Sequence, residues 1–132
     1  MMTEVVGAIL IKKSQLFLVN NRGNWALPGG KKEIGEQDLE CLIREINEEF
    51  AGTVIIPEKC LPYKIFQGVS PRNRTPLSLR TYFCEIAGKI ASPSDPERDI
   101  LDVQWISDFS SYNLSDLTKD VVQSLRSDGY LS

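Results

Sequence analysis

The stretch from Trp25 to Gly52, WALPGGKKEIGEQDLECLIREINEEFAG, constrains this chain more than any other. Its first part, Leu27 to Gly35, holds Pro28, Gly29, Gly30 and Gly35 and is expected to be irregular. Its second part, Asp38 to about Phe50, has helical composition and lacks Gly and Pro. Residues three and four apart lie together on a helix, so Glu45, Glu48 and Glu49 share one face within roughly 100°. Like charges at that spacing repel by roughly 0.2–0.5 kcal/mol per pair. Three carboxylates beside a glycine loop therefore point to a cation among them. Hard divalent ions such as Mg2+ take oxygen ligands and are held by carboxylates together with substrate phosphates.

The apolar positions of the same helix, Leu39, Leu42, Ile43, Ile46 and Phe50, recur at helical spacing and form a stripe beside the acidic face. One edge of the helix is expected to pack inward while the next lines a cleft. Arg44 lies four residues after Glu40 and four before Glu48, and can pair within the helix. Taken in isolation, such an acidic face is most simply a solvated one.

It does not stand in isolation. Gly30, five residues, Glu36, seven residues, then Arg44-Glu45-Ile46-x-Glu48-Glu49 resembles the Nudix box, and Trp25 to Gly29 resembles its usual lead-in. The box, Gly30 to Gly52, covers about a sixth of the chain and fixes many positions. The resemblance implies an α/β/α sandwich and hydrolysis of a nucleoside diphosphate linked to another moiety, with Mg2+ or Mn2+. Carried over by position, Glu45, Glu48 and Glu49 are metal ligands, the Gly30 carbonyl is a further ligand, and Glu45 alternatively orients or deprotonates the water. Arg44 is the residue that orients a glutamate, and Glu36 and Glu33 stand behind it as outer supports. An additional acid from a later loop is implied in some members; Glu97 and Asp99 are the candidates here, ahead of Asp95. Two departures appear. The box normally ends in Gly and an aliphatic residue, whereas this chain has Ala51-Gly52, so Gly52 is expected to supply the positive φ of the helix end, with Thr53 or Val54 in the aliphatic role. Gln37 stands where Ser or Thr is a common cap, and Asp38 is the alternative cap.

The 132 residues fit one domain spanning 1–132, and 42% hydrophobic with 25% charged residues fit an ordinary soluble globule. The net charge of −3 argues against a general nucleic-acid coat or a membrane-surface protein. No apolar run is long enough for a membrane helix, and MMTEVVGAILIKK lacks a signal-peptide pattern. Cys41, Cys60 and Cys84 fit free thiols in a reducing cytoplasm. The absence of histidine excludes the usual zinc sites, a Ser-His-Asp triad and a Cys-His dyad. Acid and base work falls to carboxylates, Lys, Tyr or water.

Strands are expected at Val5 to Ile11, Leu16 to Val19, Trp25 to Leu27, Thr53 to Ile56, Tyr63 to Val69, Leu77 to Ile86 and Leu101 to Ile106. The first two form a hairpin, Asn20 to Asn24 is a polar loop, and Tyr63 to Ile86 makes a long hairpin around the loop 70–76. Ser115 to Arg126 reads as a second amphipathic helix capped by Ser115 or Asp116. This order gives an α/β fold with a mixed sheet between helices. Candidate substrate contacts are Arg22, Arg72, Arg74 and Arg80, since a guanidinium suits phosphate. Trp25, Tyr63, Phe66 and Tyr82 are candidates for base stacking, although aromatics in strands are more often core. The box carboxylates favour an enzyme, a nucleoside triphosphate pyrophosphohydrolase first and a nucleotide-sugar or ADP-ribose pyrophosphatase second, over a nucleotide-sensing domain without turnover. A small nucleotide-like substrate, no nucleic acid, no membrane and a homodimer complete the expected partners.

Overall fold

The computed structural model describes residues 2–70, 73–91 and 100–132, apart from the side chain of residue 101. In chain order the elements are β1 (Thr3–Ile9), β2 (Ile11–Lys12), β3 (Gln15–Asn21), β4 (Asn24–Ala26), β5 (Gly29–Lys31), α1 (Asp38–Glu49), β6 (Val54–Ile55), β7 (Leu61–Val69), β8 (Pro76–Phe83), β9 (Ile86–Ala87), β10 (Ile100–Ile106) and α2 (Asp116–Ser127). Short 3-10 turns fall at Pro57–Lys59 and Phe109–Ser111. The main sheet runs β5-β1-β8-β7; β1 and β8 are parallel and the outer pairs antiparallel. A second sheet runs β10-β3-β2 with β4 also on β3, and β6 pairs β9.

Period-two alternation divides the core between two faces. From β1 and β3, Val6, Ala8, Phe17 and Val19 turn toward Cys41, Leu42, Ile46 and Phe50 of the α1 region. The alternate residues Ile9, Leu16 and Leu18 turn toward Leu117, Val121, Val122 and Leu125 of α2. Each helix thus covers one side, and the architecture is the expected α/β/α sandwich with a mixed sheet. Burying side chains of this size stabilises by roughly 1.5–3 kcal/mol each, which explains why two short amphipathic helices suffice.

The glycine stretch departs from its expected irregularity. Gly29, Gly30 and Lys31 form β5, paired antiparallel with Gly7, Val6 and Val5. Glycine is what permits this: Gly29 has φ +142°, and a Cβ there would run into the Val6 carbonyl oxygen. The loop expected at Asn20 to Asn24 is instead a β3–β4 hairpin. Asn21 pairs with Asn24, and Arg22 (φ +54°) and Gly23 (φ +97°) form its two-residue turn. The first hairpin survives only as the two-residue β2 against β3, whose long partner is β10. The strand expected over Leu77 to Ile86 divides into β8 and β9.

Helix α1 ends at Glu49, and Gly52 takes positive φ (+94°) as expected. Thr53 is buried, while Val54 is 57% exposed and does not take the aliphatic role. Ile43 leaves the apolar stripe, being 41% exposed, and Cys41 joins it. The N-cap is Gln37, not Asp38; Glu40 accepts its backbone N–H at 2.9 Å. Ser115 caps α2, its Oγ accepting the Thr118 N–H at 3.4 Å.

Candidate active site

The acidic face of α1 lies against β5. Gly30 is in immediate contact with Glu45, such that a Cβ on Gly30 would strike the Glu45 carboxylate. The Gly29 N–H donates to Glu49 Oε1 at 3.3 Å. The Gly30 carbonyl accepts the Cys41 thiol at 3.5 Å. Burial pushes that thiol up to about 12, so it remains protonated and able to donate. Helix and glycine strand are therefore stitched where the sequence places the carbonyl and carboxylates of the box.

Arg44 is the centre of the acidic group. Its Nε donates to Glu36 Oε2 at 2.7 Å and its Nη2 to Glu36 Oε1 at 3.0 Å, a two-pronged clamp. Nη1 donates to Glu45 Oε1 at 3.0 Å and to Glu48 Oε1 at 3.3 Å, and Nη2 also reaches the Lys31 carbonyl at 3.0 Å. Glu33 lies 3.7 Å from Nη1, and its N–H donates to Glu36 Oε1 at 2.9 Å. The Arg44 guanidinium beside it holds the Glu36 carboxyl down to about 2. Burial raises Glu45, with Arg44 opposing the rise. Arg44 is therefore shared between Glu45 and Glu48 on its helix and Glu36 and Glu33 of the preceding loop.

A second polar group lies at the start of the helix. Asp38 accepts Arg80 Nε at 2.7 Å and the Tyr82 hydroxyl at 2.6 Å on Oδ2, and its Oδ1 faces Lys32 Nζ at 3.0 Å. Burial disfavours the Asp38 charge, but Tyr82, Arg80 and Lys32 outweigh it and hold the carboxyl below its ordinary range. Burial and the Asp38 charge push Tyr82 up to about 12. Asp38 is apparent in the sequence only as a cap; its partners Arg80 and Tyr82 come from β8, two residues apart and so on one face of that strand.

The remaining candidates are dispersed. Arg80 was a candidate phosphate contact, yet its guanidinium is engaged by Asp38 and lies 3.6 Å from Glu4. Tyr82 lies on that same α1 side. Trp25 is 9% exposed, packs edge-on against Tyr112 with centroids 5.0 Å apart, and belongs to the α2-side core. Its backbone N–H donates to the Asn113 carbonyl and its backbone carbonyl accepts the Ser115 N–H, fixing the approach to α2. Tyr63 and Phe66 pack against the same core. Arg22 is exposed in its hairpin turn, and Arg74 is exposed at the tip of the β7–β8 hairpin. Arg72, Asp95, Glu97 and Asp99 lie outside the described residues.

Among the described residues, no three carboxylate or thiol groups converge as a ready ion cage. Glu45 and Glu48 direct oxygens to Arg44, and Glu49 directs one to Gly29. The donor set nonetheless fits a hard divalent ion: carboxylates from one helix face and, where a Cβ would collide, a backbone that approaches them closely. Among the described residues no helix is long and apolar enough to cross a membrane, and Cys41, Cys60 and Cys84 are free.

Comparison with known proteins agrees with this fold. The NUDIX domain model matches residues 1–115. No curated protein matches. Among solved structures, a NUDIX hydrolase from Nitrosomonas europaea superposes with a TM-score of 0.75 at 18% identity, over 97% of this chain and 90% of that one. A MutT NUDIX hydrolase from Burkholderia pseudomallei gives 0.73 at 19% identity, over 93% and 97%. A bifunctional NMN adenylyltransferase/ADP ribose pyrophosphatase from Francisella tularensis, complexed with AMP and a Mn ion, gives 0.70 at 22% identity, over 97% of this chain and 42% of that one. With most of its length matched by the family and its box carboxylates arrayed on α1 beside the glycine strand, the chain belongs to the Nudix hydrolase family.

Proposed function

We propose that the protein is a divalent-metal-dependent hydrolase of the diphosphate bond in a nucleotide, acting as a nucleoside triphosphate pyrophosphohydrolase. The observation that carries the reading is the contact of Gly30 with Glu45 on the face that also bears Glu48 and Glu49. Glu45, Glu48, Glu49 and the Gly30 carbonyl would hold Mg2+, with Mn2+ able to replace it. Such an ion, when bound, polarises phosphoryl oxygens and lowers the pKa of its water. Arg44 keeps Glu45 and Glu48 directed toward one point, and Glu36 fixes the plane of Arg44. Arg22, Arg72 and Arg74 are the arginines proposed for phosphate contact, with Asp99 as an additional acidic ligand. The protein is proposed to act as one domain over residues 1–132, on small molecules, in the cytoplasm.

ADP-ribose is the second substrate class, supported by the name of the Francisella tularensis protein whose fold this chain shares. The test is a screen of ribo- and deoxyribonucleoside triphosphates, ADP-ribose and nucleotide sugars with Mg2+ or Mn2+, analysing products. Release of pyrophosphate and nucleoside monophosphate from a triphosphate supports the primary reading. Turnover restricted to ADP-ribose selects the second, and no metal-dependent turnover on any member contradicts both.

A further inference from the structure

Among the described residues, the loop between β5 and α1 is anchored at two places, and only one uses residues that the box pattern fixes. The other is Asp38, the first residue of α1, whose side chain is 11% exposed. Its carboxylate gathers Arg80 and Tyr82 from β8 and Lys32, the residue that follows β5. Glu4 of β1 completes the group, 3.6 Å from Arg80 and 3.9 Å from Lys32, and its carbonyl accepts the Lys32 N–H at 3.0 Å. One carboxylate thus joins the helix to β8 and to the residue that follows the glycine strand, and Glu4 extends the group to β1.

That position matters for what lies farther along the helix. Asp38 and Glu45 are about two helical turns apart, roughly 10 Å. Gly30 is fixed separately, by the pairing of β5 to β1. A rotation or slide of the first turn would carry Glu45, Glu48 and Glu49 as a rigid group away from a stationary Gly30. Displacements near 1 Å can cost roughly a hundredfold in rate. Charge-assisted bonds shielded from water are suited to hold such a register.

We propose that Asp38 is a positioning residue for hydrolysis: through Arg80, Tyr82 and Lys32 it sets the register of α1 against β5, so that the carboxylates meet the Gly30 backbone. The proposal rests on the reading of Glu45, Glu48 and Glu49 as the metal-holding face.

The test combines kinetics with amide hydrogen exchange on the metal-free protein. Asp38→Asn keeps the shape and removes the charge. Its kcat, measured with Mg2+ on the nucleoside triphosphate turned over fastest, should fall about tenfold or more, with KM within about twofold. Exchange should accelerate in peptides covering 29–49 and stay unchanged in α2. Tyr82→Phe removes one donor and should move both readouts in the same direction by less. The double variant should be no slower than Asp38→Asn, since both act through one contact. A folded Asp38→Asn protein with unchanged kcat and exchange overturns the proposal. So does equal acceleration of exchange in α1 and α2, which would mark a general loss of stability. If the wild type hydrolyses nothing, the functional reading fails, and the exchange comparison still decides whether Asp38 holds the register.

Discussion

Arg44 and Asp38 hold the same segment from opposite ends and with opposite charge. Arg44 is a cation surrounded by acids, with partners Lys31, Glu33, Glu36, Glu45 and Glu48, all near in sequence. Asp38 is an anion surrounded by Lys32, Arg80 and Tyr82, with β8 more than forty positions away. The first group shapes the site from within; the second fixes the helix that bears it to the sheet. A motif defined by spacing describes the first kind of contact well. It says nothing of the second, which depends on which strand lies beside the helix.

The contrast can be sharpened by substitutions that divide ligand, orienting group and anchor. The largest effect is expected at a ligand. Glu48→Gln should lower turnover by more than about a hundredfold, beyond the usual loss for groups that stand behind a ligand, with unchanged circular dichroism. An undiminished rate would remove Glu48 from the metal-holding set. Arg44→Lys keeps the charge but cannot form the two-pronged clamp on Glu36 while reaching Glu45 and Glu48. A loss of about ten- to a hundredfold in kcat or in metal affinity is expected. Wild-type kinetics would show that orientation by the planar fork is unnecessary.

The smallest effect concerns acid stability. The folded Glu36 carboxyl sits at about 2 rather than its ordinary 4.5, so the folded state gains from its ionisation above pH 4.5. That gain is lost as pH falls through the window to about 2. Thermal midpoints should decline more steeply there for wild type than for Glu36→Gln; parallel declines would dissociate the Glu36–Arg44 clamp from stability.

The legible parts of the fold follow from local periodicity. The two amphipathic helices repeat at 3.6 residues, Ile43 apart, and β1 and β3 are short continuous apolar runs buried on both faces. β5 was hidden because two of its three residues are glycine, a composition that reads as loop until a facing strand needs close approach. The Arg22-Gly23 turn was hidden for a related reason: positive φ at a non-glycine residue has no reliable sequence mark. The contacts of Arg44 with Glu36, Glu45 and Glu48 are legible because one helix turn and one short loop relate these residues. Arg80 reads as a free cation in a strand, and only the folded sheet brings Asp38 to it. Trp25 reads as a stacking surface, and only the packing of Tyr112 and the segment before α2 shows its ring within the core.

On the proposed function, the acidic face of α1 holds a divalent ion beside Gly30. Titration of Mn2+ into the protein, followed by the loss of the free-ion electron paramagnetic resonance signal, tests it without any substrate. Saturable binding is expected for wild type, severely weakened in folded Glu45→Gln, Glu48→Gln and Glu49→Gln proteins. Equal Mn2+ affinity in wild type and all three variants would contradict it.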